Sequence, residues 1–293
     1  MSLQFSVIIP VYRQWPLFVH LHSALLAQTL PAGDFEVLIV NNDPETDLAT
    51  PIPALDLPPH MRLLHCPTPG SYAARNHGAA QARGDWLVFT DADCVPGPGW
   101  LAALAGAVTK DPHGLLPGLL AGPVRMIAPA QPNPYEIYDL LRGIPQDRYV
   151  RHGYAATANL AVPCRVFTAL GGFDPARLSG GDAAFCRKAG QTGHPVRLVP
   201  DAWVGHPCRS DWPSLAIKAR RVKAGQLRHG TRRGRLQWLL RSLTPPLRQI
   251  SRLARTSAPW PQRRSAIRIA WRLWAVELAE IARLLGGAAP ERR

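Results

Sequence analysis

Two short apolar runs near the amino terminus, Phe5 to Val11 (FSVIIPV) and Phe35 to Val40 (FEVLIV), limit the folds open to this chain more than any other feature. Both are rich in β-branched residues, and both read as strands. Between them Leu17, Leu21, Leu25 and Gln28 lie on one helical face, Pro16 suits a first helical turn, and Pro31 with Gly33 stops the segment. Strand, helix and strand in that order make a βαβ unit, which requires a parallel sheet. The pattern continues with a short strand at Met61 to His65, a helix within Gly70 to Ala82, and a buried central strand at Trp86 to Thr90 (WLVFT).

The rest of the chain is less regular. Residues 44–60 read as an ordered loop, and the Pro- and Gly-rich stretch 110–150 as a strand near Leu119 plus mobile loops. Periodicity returns at Val166 to Leu170, at Asp182 to Ala189 and in a strand at Val196 to Val199. Beyond His206 the chain is helical and basic. In its last helix Ile267, Trp271, Trp274, Leu278, Ile281 and Leu285 form the expected apolar stripe, with Arg268, Arg272, Glu280 and Arg283 off it. The expected organisation is one α/β domain over residues 1–210 and an amphipathic helical extension over 211–293.

Charge divides the chain at the same place. Residues 1–200 hold 14 Lys and Arg against 15 Asp and Glu, which leaves 20 against 5 for residues 201–293, a balance of +15 there. Such a segment is drawn to polyanions: an acidic membrane surface, nucleic acid or an acidic partner. No RNA-binding aromatic motif or zinc module accompanies it. Five scattered cysteines with no C-x-x-C spacing argue against a disulfide framework or a zinc cluster and suit a reducing compartment. The first charged residue is Arg13, so no basic n-region of an export signal is expected. The longest uncharged stretch, Gln14 to Gly33, carries two prolines and two histidines and is a poor bilayer span. The expected location is cytoplasmic, with peripheral attachment at the inner face of the membrane through the basic helices.

Asp91-Ala92-Asp93 follows the WLVFT strand. In an extended segment side chains at i and i+2 point the same way, so the two carboxylates converge at a carboxyl strand end, where α/β sheets bind ligands. Mg²⁺ or Mn²⁺ typically takes one or two carboxylates and completes its shell with water and phosphate oxygens. A pair of turn carboxylates capping a helix near Trp100 is the bland alternative. A glycosidase acid/base pair is another, although such carboxyls usually come from separate elements.

The passage PGSYAARNHGAAQARGDWLVFTDADCVP, residues 69–96, resembles the nucleotide-sugar-binding half of the family 2 glycosyltransferases, in which an A-R-N helix, a G-D turn and an apolar strand precede D-x-D. SVIIPVY at residues 6–12 and the strand ending in Asn41 and Asn42 are similar to that family's first two strands, which hold the nucleoside. Asn159, ALGGFDP at 169–175, SGGDAAFCRKAG at 179–190 and PDAWVGH at 200–206 follow in family order. The resemblance spans roughly residues 5–210. It implies the GT-A nucleotide-diphospho-sugar transferase fold, a mostly parallel Rossmann-like sheet flanked by helices, and inversion at the anomeric carbon.

The same resemblance implies roles. Asp182 takes the general-base position, with an N-cap as its bland alternative. Asp91 and Asp93 hold the metal, Mn²⁺ or Mg²⁺, and His206 is a third ligand or a packed residue. Arg75 suits a phosphate or nucleobase edge, against a solvated helix charge. Pro10 and Tyr12 lie by the base, or Tyr12 simply packs, while Asn41 and Asn42 bond base or ribose, or form an Asx-turn. The donor is a nucleotide-diphosphate sugar, expected to be UDP-linked, and the acceptor a glycan or lipid-linked hydroxyl. A non-catalytic scaffold of the same fold, with a polyanion-binding tail, is the rival. The chain departs from the family pattern at Asn41-Asn42-Asp43, where many relatives carry acids, at Gly181, where an acid commonly precedes the base, and at Ala184.

Overall fold

The computed structural model describes residues 3–45, 57–109, 118–228 and 231–290. Most of the loop expected over 44–60, and residues 110–117 of the irregular middle, lie outside them. Strand β1 (Phe5–Val11), helix α1 (Trp15–Leu26) and strand β2 (Phe35–Asn41) form the expected βαβ unit, with β1 and β2 parallel and Val11 opposite Asn41. Strand β3 (Met61–His65) adds in parallel outside β2. After α2 (Ser71–Ala79), strand β4 (Trp86–Phe89) joins the other edge of β1, again parallel. The growth of the sheet thus reverses at β1. The carboxyl ends of β1 and β4 flank that switch point, where open α/β sheets leave a crevice.

The chain continues through β5 (Val95–Pro96), α3 (Trp100–Thr109), β6 (Leu119–Ala121), β7 (Val124–Ile127), α4 (Pro134–Arg142), α5 (Gln146–Arg151), β8 (Leu160–Pro163), α6 (Cys164–Ala169), α7 (Gly181–Gln191), β9 (Val196–Leu198) and β10 (Val204–Pro207). Seven strands form one sheet in the order β3-β2-β1-β4-β8-β6-β9. Within it β8 runs antiparallel to β4 and β6, and β9 parallel to β6.

Strand periodicity sorts the core onto two faces. Phe5, Val7, Ile9 and Val11 of β1 pack with Phe18, Leu21 and Leu25 of α1 and with Trp100, Leu101 and Leu104 of α3. Ile8 of β1, with Leu87 and Phe89 of β4, joins Ala74 of α2, Phe167 of α6 and Phe185 of α7 on the opposite face. The α1 stripe differs from its expected register: Phe18 and His22 are buried beside Leu21 and Leu25, while Leu17 is exposed. Packing of the bulkier Phe18 against the sheet sets the rotation of that helix. Gly84 shows why the turn before β4 needs glycine, since an added Cβ would lie 2.5 Å from the Phe5 carbonyl carbon.

Two regions expected to be irregular or differently oriented come out otherwise. The mobile loops expected within 110–150 give way to β7, α4 and α5 among the described residues. Helix α4 carries a capping box: Asn133 Oδ1 accepts from the Tyr135 and Glu136 amides, and Glu136 Oε2 accepts from the Asn133 amide. Its signal, N-x-x-E ahead of an apolar run, was in the sequence.

The described chain ends in α8 (Trp212–Arg228), α9 (Arg232–Leu243), α10 (Leu247–Ala254) and α11 (Trp260–Leu285). The buried face of α11 is Ala266, Ile269, Ala270, Leu273, Glu280 and Ile281. Trp271 and Leu285, members of the expected stripe, are exposed instead. Small residues let α11 pack closely, and Glu280, buried off the expected stripe, is held by two bonds from Arg283.

The chain divides into two compact units, one of 1–125, 145–176 and 181–206, the other of 126–144, 177–180 and 207–293. The second is helical and closes around Tyr138, Leu215, Leu253, Ala266, Ile269, Ala270 and Leu273. Asp139 lies buried in it, bonded to the amide and guanidinium of Arg209. Among the described residues no helix is long and apolar enough to cross a membrane. All five cysteines are unpaired thiols.

Candidate active site

Strand β4 ends at Phe89, and residues 91–94 form a turn in which the Cys94 amide donates to the Asp91 carbonyl at 3.0 Å. The carboxylates of Asp91 and Asp93 therefore converge through a turn and not through the extended i, i+2 geometry expected for them. A third group arrives from the distant end of the unit. Strand β10 pairs antiparallel with β5, placing Gly205 opposite Val95, and this brings His206 alongside. Its Nε2 lies 3.7 Å from Asp93 Oδ2. One ligand atom each from Asp91, Asp93 and His206 fall within 4.8 Å of one another, with the histidine buried and both aspartates reaching solvent. Two carboxylate oxygens and one imidazole nitrogen, open on one side, fit a divalent cation of the Mn²⁺ or Mg²⁺ type.

Arg75 is buried on α2, which excludes a solvated helix charge. It donates through Nη2 to Asp91 Oδ1 and lies over the Tyr72 ring at 5.7 Å. Its buried Nε–H has no hydrogen-bond partner among the described residues. An unused donor on a permanently charged fork beside the carboxylate turn is equipped to take an anion.

Asp182 stands in the first turn of α7, where the helix dipole favours a carboxylate. Its Oδ1 accepts from the Ala183 amide at 2.8 Å and from the Tyr72 hydroxyl at 3.3 Å, and its Oδ2 from the Thr157 amide at 3.4 Å. Burial pushes its carboxyl above the usual range, while the Ala183 amide, Arg75, the Thr157 amide and Tyr72 oppose that shift. A carboxylate so poised accepts a proton more readily than an ordinary surface aspartate.

The remaining predicted residues gather at the carboxyl ends of β1 and β2. Pro10 lies within β1 opposite Val40, and Tyr12 follows the strand, partly buried with Arg13 over its ring at 5.1 Å. Arg13 is the one non-glycine residue with positive φ among the described residues, at 54°, and it pairs with Asp43 at 2.7 Å. Asn41 accepts the Asp43 amide at 3.1 Å in an Asx-type turn. Asn42 donates to the Cys66 and Thr68 carbonyls and accepts the Gly70 amide, so its amide fastens β2 to the loop that opens α2.

Two residues that matter here were not singled out from the sequence. Asn76 bonds reciprocally with the Phe173 amide and carbonyl, at 3.0 and 2.7 Å, and so locks the A-R-N helix to the ALGGFDP segment. Tyr72 touches Asp182. Its only signal was a single aromatic residue within the small helix formers of SYAARNHGAA.

Known proteins resemble this chain in sequence and in fold. The family model described as Glycosyl transferase family 2 matches residues 6–125. Glycosyltransferase AglE of Haloferax volcanii is 31% identical over 230 residues, covering 76% of this chain and 72% of that protein. Among solved structures, mannosyltransferase PcManGT from Pyrobaculum calidifontis in complex with GDP-Man and Mn2+ superposes with a TM-score of 0.62 at 18% identity, over 99% of this chain and 89% of its own. S. aureus TarS in complex with UDP-GlcNAc gives 0.54 at 17% identity, over 97% and 92%. Sheet order, helical flanks and these likenesses together identify the GT-A fold, and this chain belongs to the family 2 glycosyltransferases.

Proposed function

We propose that the enzyme transfers a hexosyl unit from a nucleotide-diphosphate sugar, with UDP as the nucleotide, to a hydroxyl of a glycan or lipid-linked acceptor, inverting the anomeric carbon. Residues 1–210 are assigned as the transferase domain and 211–293 as its extension. The observation that carries the reading is the convergence of Asp91, Asp93 and His206 beside the switch point of the sheet, with their ligand atoms within 4.8 Å. Solved structures of the same fold hold GDP-Man with Mn2+ in one case and UDP-GlcNAc in another, which supports a nucleotide-sugar donor.

In this reading Asp91, Asp93 and His206 hold the cation, with Mn²⁺ or Mg²⁺ as the candidates. The cation, when bound, would act as a Lewis acid that offsets charge on the departing diphosphate. The free Nε–H of Arg75 donates to a phosphate oxygen while its Nη2 steadies Asp91. Pro10 and Tyr12 border the nucleoside, while Asn41 and Asn42, buried and bonded within the fold in place of the expected base or ribose contacts, fix the adjoining end of β2. Asp182 accepts the acceptor's proton as its oxygen attacks the anomeric carbon from the face opposite the leaving group. A polyanion-binding scaffold without catalysis is not favoured, because family membership and the convergent carboxylates both speak for an enzyme.

Calorimetric titration of UDP and of GDP, each with and without Mn²⁺, tests the reading. Nucleotide binding that needs Mn²⁺ in the wild type, and that Mn²⁺ no longer strengthens in Asp93→Ala, is expected. Equal affinity with and without Mn²⁺ in the wild type would exclude a metal-bridged diphosphate.

A second reading concerns the helical unit, for which we propose attachment to an anionic membrane at its cytoplasmic face, close to a lipid-linked acceptor. Leu236, Trp238, Leu240, Leu243, Leu247, Trp260, Trp271 and Leu285 are all exposed in the segment that also carries the positive charge. Exposed Trp and Leu among arginines on helices suit the interface of an acidic bilayer. Sedimentation with vesicles containing phosphatidylserine, and none with phosphatidylcholine alone, is expected; absence from both pellets would reject the attachment.

A further inference from the structure

A residue on another helix meets the Asp182 carboxylate and the turn that carries it. The Tyr72 hydroxyl accepts the Gly181 amide at 2.9 Å, lies 3.4 Å from the Asp182 amide, and meets Asp182 Oδ1 at 3.3 Å. With its lone pairs turned toward two amides, the hydroxyl has its proton left for the carboxylate. The ring itself is fixed, buried against Phe173 at a centroid distance of 5.5 Å. We infer that Tyr72 is the positioning residue of Asp182, binding the first turn of α7 through its hydroxyl oxygen and directing its hydroxyl proton onto the carboxylate, in space that Gly181 keeps clear. The inference rests on the assignment of Asp182 as base.

Gly181 supplies the independent half of the argument. A Cβ built there would stand 2.7 to 3.0 Å from three carbons of the Tyr72 ring, Cε2, Cζ and Cδ2. Those atoms belong to a buried ring and not to the end of a flexible chain, so residue 181 can carry a side chain only if residue 72 gives up its place. The backbone at Gly181 needs no positive φ, unlike that at Gly180, so space and not conformation accounts for the glycine. At the position where the resemblance implies an acidic residue, Gly181 leaves room for the Tyr72 ring, and a neutral hydroxyl from the facing helix lies beside Asp182.

The hydroxyl bond bears on the carboxylate. Burial raises the Asp182 carboxyl, and the Tyr72 hydroxyl bond works against that rise. Tyr72 itself stays protonated, since burial and the neighbouring Asp182 charge push its phenol up. Among the described residues, Arg75 on α2, Tyr154 after α5 and Cys186 on α7 itself also interact with the carboxylate.

A measurement that needs no substrate tests this. In protein labelled with 4-¹³C aspartate, the carboxyl resonance missing from Asp182→Asn identifies Asp182, and its pH titration is followed in the wild type, Tyr72→Phe and Gly181→Ala. Phenylalanine keeps the ring and removes the bond, so the midpoint should move up by about one pH unit, the size expected when a hydrogen bond to a charged group is lost. Gly181→Ala, which displaces the ring from the other side, should move it in the same direction and serves alone if the first variant does not fold. An unchanged midpoint in a folded variant overturns the inference. Failure of the underlying reading looks different: Asp182→Asn would then keep full nucleotide release, whatever the resonance does.

Discussion

In the first unit Phe89, Phe167, Phe173 and Phe185 form an aromatic cluster with neighbouring centroids 5.1 to 5.4 Å apart, all buried beneath the sheet. In the second unit Trp238, Trp260 and Trp271 stand between 40 and 57% exposed on helices studded with arginine. Both units use large aromatic residues, but to opposite ends. In the first they pack a rigid interior; in the second they stand at the surface. The difference shows that total hydrophobicity says little about stability until the side on which it is buried is known.

The contrast can be broken or sharpened by measurement. The largest effect should come from Asp182→Asn. Loss of a general base should lower nucleotide release by about 10²- to 10⁴-fold, assayed with whichever of UDP-glucose, UDP-N-acetylglucosamine and GDP-mannose the wild type turns over. A base at Asp182 would work only when deprotonated, and burial pushes that carboxyl up, so on this proposal wild-type activity should fall as pH drops through a value above the ordinary aspartate range. An acid limb absent from the pH profile would count against Asp182.

Phe173→Ala should cost about 3 to 5 kcal/mol in urea unfolding, because it empties the centre of the aromatic cluster. A loss below about 1 kcal/mol would mean that the cluster can collapse around the vacancy. Glu36→Gln probes the sheet more gently. Burial would raise the Glu36 carboxyl, but the Arg83 amide and guanidinium, Ser6 and Arg62 bond to it and hold it below its usual value. A depressed carboxyl contributes stability above its unfolded pKa and loses it as pH falls through the folded one. The variant should therefore be weaker by about 1 to 3 kcal/mol at neutral pH, with the gap closing in acid. A gap that stays constant with pH would refute the ionic account. Trp271→Ala and Leu285→Ala should shift stability by less than about 0.5 kcal/mol, as exposed residues do, and a larger loss would show that these side chains are structural after all.

Much of the site was readable because its parts are local. Asp91, Asp93 and Arg75 lie within one continuous segment of 28 residues, and a strand-turn-helix grammar fixes where that segment runs. Asn76, Tyr72 and the bond between β5 and β10 were not readable in the same way, since each depends on a partner roughly a hundred residues away. Two members of the α11 stripe, Trp271 and Leu285, turned out exposed for a related reason. Helical periodicity reports that a face is apolar without reporting which face meets a neighbour, and close packing chose the alanine side over the tryptophan side.

Alone, then, the sequence determined the βαβ opening, the parallel run of early strands, the charge division and the ordered motifs of a family 2 glycosyltransferase, because periodicity and short-range turn chemistry are written in neighbouring residues. The tertiary structure alone decided that His206 reaches the carboxylate turn, that Tyr72 occupies the room Gly181 leaves, and which aromatic residues face water. Those outcomes depend on distances between segments far apart in the chain, and such distances are set only when the layers of the fold pack together.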